Sequence, residues 1–88
     1  MDIEQVFAAE VFNAQRKAAE YKQAGISQTV SDIVSIALTD IWAFYAAGHF
    51  SRDYIGAIVD KYVRYDDTDE PRPRDDIDWR NVVRAAVI

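Results

Sequence analysis

Seven acids crowd the stretch 66–78: Asp66, Asp67, Asp69, Glu70, Asp75, Asp76 and Asp78. Carboxylates at this density suggest cation binding, paired acid–base catalysis or imitation of a row of phosphates. A calcium loop of the EF-hand type needs alternating ligands, glycine at its sixth position and a bidentate glutamate at its twelfth. Counted from Asp66, those positions hold Pro71 and Ile77, so the pattern fails. Carboxylates that hydrolyse glycosides must flank a cleft, and a helical bundle of 88 residues leaves little room for one. Arg72 and Arg74 lie within the run. The stretch therefore reads as a solvated acidic loop paired internally with those two arginines.

Other chemistry is sparse. His49 is the sole histidine and there is no cysteine. That combination excludes disulfides and thiolate chemistry and leaves a transition-metal site short of nitrogen and sulfur ligands. A serine or threonine nucleophile needs a base beside it, and nothing pairs His49 with a particular hydroxyl. No glycine-rich loop is present to cradle phosphate. Asp40 falls among Ile33, Ile36, Phe44 and Ala47 on one helical flank, where a carboxylate must keep water or find a cation. A salt bridge to a neighbouring helix, or a rim position, is its expected place. No enzyme activity, cofactor or small-molecule substrate is expected.

The formal charge of −5 is carried entirely by the acidic stretch, where seven acids face two arginines, and the remainder is balanced. A neutral remainder argues against broad nucleic-acid binding, which needs a basic footprint. The acidic N-terminus does not resemble a secretory leader, and no run of about 18 apolar residues is present to span a membrane. A cytoplasmic protein is expected.

These residues must be held by elements, and the longest amphipathic one organises the rest. Across 29–48, Val30, Ile33, Val34, Ala37, Leu38, Ile41, Phe44 and Tyr45 recur in steps of three and four, the helical period. Thr29 and Asp32 form a capping-box-like pair, and Gly48 suits the left-handed residue after a helix. The first segment, 3–23, carries Ile3, Phe7, Val11, Ala14, Ala18 and Tyr21 on one stripe and ends near Gly25. A third helix starts at the cap Ser51 and runs to about Tyr65, with Ile55, Ile58, Val59, Tyr62 and Val63 on its apolar face. Gly56 inside it suggests close approach of another helix. Pro71 and Pro73 deny helix to 66–75, and a last short helix over 77–87 carries Trp79, Val82, Val83 and Ala86.

The expected fold is all-α: one domain over 1–88, a small helical bundle of three main helices and a short C-terminal helix, with 66–75 irregular. Its expected core is Phe7, Val11, Ile33, Val34, Leu38, Ile41, Phe44, Ile55, Ile58, Val59, Tyr62 and Val83.

More large apolar side chains are on offer than so small a core can use. Phe12 points away from the first stripe with Ala8 and Ala19 near it; Trp42 lies on the back of the central helix; Trp79 sits on the short last helix. Aromatic residues of this kind anchor interfaces. The sequence therefore predicts a non-catalytic protein-binding module, acting through homodimerisation or a partner protein. The alternatives are an acidic nucleic-acid mimic using 66–78, or a small DNA-binding regulator using the helix pair 30–65.

Overall fold

In a computed structural model, which describes residues 2–86, three main helices and a short C-terminal one enclose an apolar core. The helices are α1 (Ile3–Gln23), α2 (Val30–Ala46), α3 (Arg52–Tyr62) and α4 (Trp79–Ala86); a small antiparallel ribbon of β1 (Val63–Tyr65) and β2 (Pro71–Pro73) lies between α3 and α4. The mostly helical expectation holds. Among the described residues no helix is long and apolar enough to cross a membrane.

Each helix start is capped by the side chain the sequence offers. Asp2 accepts from the Glu4 amide, Ser51 from the Tyr54 amide, and Asp78 from the Asn81 amide. Thr29 and Asp32 form a reciprocal capping box, each side chain accepting from the other's backbone N–H at 3.0–3.2 Å. These bonds satisfy donors that a helix start otherwise leaves orphaned. Both α1 and α2 end in a Schellman turn. Ile26 N–H donates to the Tyr21 carbonyl and Gly25 N–H to Lys22; His49 N–H donates to Phe44 and Gly48 N–H to Tyr45. Gly25 and Gly48 both stand at φ 79°, the left-handed region this turn requires.

The core is the seam of the first three helices. Phe7, Ala8, Val11 and Ala14 from α1 meet Ile33, Val34, Ala37 and Ile41 from α2 and Ile55, Ile58, Val59 and Tyr62 from α3, with Val63 beneath. At one edge Glu4 ties α1 to α3: its carboxylate accepts from Lys61 Nζ at 2.9 Å and from the Tyr62 hydroxyl at 3.0 Å. The Lys61 bond holds Glu4 below the usual carboxylate range against the opposing effect of burial, and burial together with Glu4 raises Tyr62.

The structure corrects several expectations. The third helix stops at Tyr62, not Tyr65, because Val63 turns extended (φ −121°, ψ 135°) and begins a strand. β-branched Val63 and aromatic Tyr65 suit a pleated surface. The stretch 66–75 is accordingly not irregular throughout; β2 pairs with β1 in the register Val63↔Pro73, Arg64↔Arg72 and Tyr65↔Pro71. Arg74 N–H donates to the Tyr62 carbonyl and Asp66 N–H to the Glu70 carbonyl at the two ends of the ladder. Hydrogen-bonded and unbonded pairs alternate in such a ladder, so both prolines fall in unbonded pairs, where no N–H is called for.

Phe44 is exposed rather than core, because it lies on the last turn of α2, beyond the seam with α3. Leu38 is half-buried against the core. A Cβ built on Gly56 meets nothing within 4 Å, so no helix approaches it closely. The side chain of Val83 and the expected helix end at Val87 lie outside the described residues.

Candidate functional site

The sequence-named residues are dispersed. Ala8 is fully buried in the core and contributes nothing to a surface. It lies only 40° around α1 from Phe12, and α4 docks over that side, so α1 is covered across a wider arc than its stripe implies. Phe12 remains 41% exposed, with its ring 5.7 Å from Trp79. Trp79 is half-buried between Phe12 and Tyr62, and its indole N–H donates to the Arg74 carbonyl. Phe12 and Trp79 thus line one cleft of 240 Å³ with Gln15, Pro73, Arg74 and Asp75. Ala19 is exposed and lines a separate depression toward Ile26 and Val30. Trp42 is half-buried against the core and edge-on to Tyr45.

The acids are largely occupied internally. Asp66 Oδ1 accepts from the Thr68 amide, the Thr68 hydroxyl and the Glu70 amide, while Oδ2 accepts from Arg72 Nε at 2.7 Å. Arg72 first, then Thr68 and Glu70, holds the Asp66 carboxyl far below the ordinary range. Asp69 takes the left-handed conformation (φ 60°) that closes this hairpin loop, a conformation Asp tolerates better than most side chains. Glu70 also binds Arg72, and Asp78 is spent on capping α4. Asp75 Oδ2 lies 3.3 Å from Arg64 Nε but off its N–H axis, so the charges pair without a hydrogen bond. Arg74 does not pair with these acids as expected; its Nε donates to the Asp60 carbonyl. Asp67 and Asp76 stay exposed. Among the described residues no three potential ligands gather as a metal would require.

A contiguous exposed aromatic surface lies at the corner between α2 and α3. The Schellman turn at Gly48 reverses the chain and brings His49 and Phe50 back against Phe44. The Phe44 ring stands 6.2 Å from Phe50 and 6.3 Å from His49, and Phe50 stacks on Tyr54 at 5.2 Å. Phe44, Phe50 and Tyr54 are 39%, 36% and 44% exposed. Phe44 also lines an apolar groove of about 80 Å³ between α1 and α2, with Ile3, Val6, Phe7, Ala37 and Ile41. Glu10 and Asp40 are its two charged lining residues. Asp40 thus takes the rim position, and neither acid pairs with a cation among the described residues.

Sequence reasoning misses this corner because Phe44 fits the helical stripe, and the stripe as a whole faces inward. The signal is the density of aromatics around Gly48: Phe44, Tyr45, Phe50 and Tyr54. No family model, no curated protein and no solved structure matches the chain.

Proposed function

We propose that this protein is a non-catalytic protein-binding module whose contact surface is the α2–α3 corner and the adjoining α1–α2 groove. The carrying observation is that Phe44, Phe50 and Tyr54 touch ring to ring while each remains more than a third exposed. Scattered exposed apolar residues are ordinary, whereas a contiguous patch marks a contact site. Val6, 40% exposed, extends the patch across the groove. Rigid aromatic side chains already packed on one another also lose little conformational freedom when a partner covers them.

The acidic-mimic reading has less support. A phosphate mimic needs carboxylates pointing outward in a row, and Asp66, Glu70, Asp75 and Asp78 face partners within the chain.

A photo-activated benzoylphenylalanine in place of Phe50 tests the binding reading in cells that make the protein. Discrete adducts should form from this position and not from the same group placed at exposed Glu20, and Phe44→Asp should abolish them. An adduct of twice the chain mass would identify the partner as a second copy. Equal labelling from both positions, or none from Phe50, would overturn the proposal.

A further inference from the structure

The two walls of the α1–α2 groove are built alike. On α1 its lining residues start at Ile3 and end at Glu10; on α2 they start at Ala37 and end at Phe44; each set follows the spacing i, i+3, i+4, i+7. Each wall is therefore about 10 Å of continuous helix. Two such walls side by side form the seat for a third helix, which would lay an apolar stripe of two turns between them. The floor is apolar and both charged lining residues are acids. The C-terminal end of α2 adds the negative end of a helix dipole with no basic residue in its last turn, while the positive end of α1, at the same groove, is offset by Asp2 and Glu4.

We infer, building on the protein-binding reading above, that this groove receives a cationic amphipathic helix from another protein, its apolar stripe on Val6 and Phe44 and its Lys or Arg residues beside Glu10 and Asp40. A second copy of this chain suits the groove poorly. A two-fold axis would set the groove against itself and bring these acids toward their own duplicates, a juxtaposition that costs affinity.

The probe is a fluorescent peptide of about 18 residues, long enough to hold a helix on docking, with a leucine stripe flanked by lysine. Its twin has glutamate for every lysine. Anisotropy titrations should show binding of the lysine peptide alone. Glu10→Lys with Asp40→Lys should weaken it at least ~10-fold, while the same charge change made at exposed Asp67 and Asp76 should weaken it less than ~3-fold, because screened charges act locally. Equal binding of the twin, or equal loss from the remote pair, overturns the inference. If both peptides bind and Phe44→Asp abolishes both, the cation preference is wrong and the contact surface stands. If Phe44→Asp affects neither peptide, the surface falls with it.

Discussion

Gly56 is idle: it sits inside α3 in ordinary helical geometry with open space where a Cβ would be. Glycine in a helix interior costs about 1 kcal/mol relative to alanine, so Gly56→Ala should raise stability by roughly 0.5–1 kcal/mol in urea denaturation. Asp66 is committed. Its carboxyl titrates far below its unfolded value near 3.8, so the unfolded chain binds more protons in acid. Its contribution is fully present above that unfolded value and is lost progressively below it, until pH has fallen through the much lower folded value; Glu4, held low by Lys61, acts in the same direction. Melting temperature should therefore begin to fall below about pH 5 and fall most steeply below about pH 4. Asp66→Asn should melt lower at neutral pH and show a shallower acid slope, measured by circular dichroism at each pH.

At the scale of elements, the helices were legible because each carries its own punctuation. Thr29, Ser51 and the two Schellman glycines act within a few residues of themselves, so local sequence announces them. Gly25 and Gly48 have open space around them, and only their positive φ resists a side chain. Alanine at either should cost about 1–2 kcal/mol, the penalty of the left-handed conformation, and a double variant should lose about twice that because the turns share no contacts. The ribbon was not legible. Its pairing depends on Arg72 reaching Asp66 and on Arg74 N–H meeting the Tyr62 carbonyl. Neither contact has a periodic signature, and two prolines read as breakers before they read as strand residues.

Across the whole molecule, the core centre was foreseeable and its margin was not. Ile55, Val11 and Val34 are the largest fully buried side chains, and all three stand on helical stripes. Ile55→Ala should cost about 2–5 kcal/mol, whereas Leu38→Ala, half-buried, should cost less; equal losses in chemical denaturation would contradict the packing. Periodicity says which face of a helix is apolar but not how far a neighbour extends along it. Phe44 belongs to the correct face of α2 and still emerges, and Ala8 lies off its stripe and is still covered. The candidate surface was for that reason invisible in the sequence, though the excess of aromatic side chains that produces it was plain.

The placement of the two prolines decides what the ribbon cannot do. In unbonded pairs the backbone groups of β2 point away from β1, toward the strand's outer edge, and the half-buried strand also packs against α1 and α2. Pro71 and Pro73 thus remove two donors from that edge and leave it unable to template a further strand. The protein is guarded there against growth into an extended sheet, and strand addition is closed to partners on that side. Replacing both prolines with threonine should restore the donors and produce thioflavin-positive assemblies on prolonged mild heating, while the parent chain under the same conditions should remain dispersed.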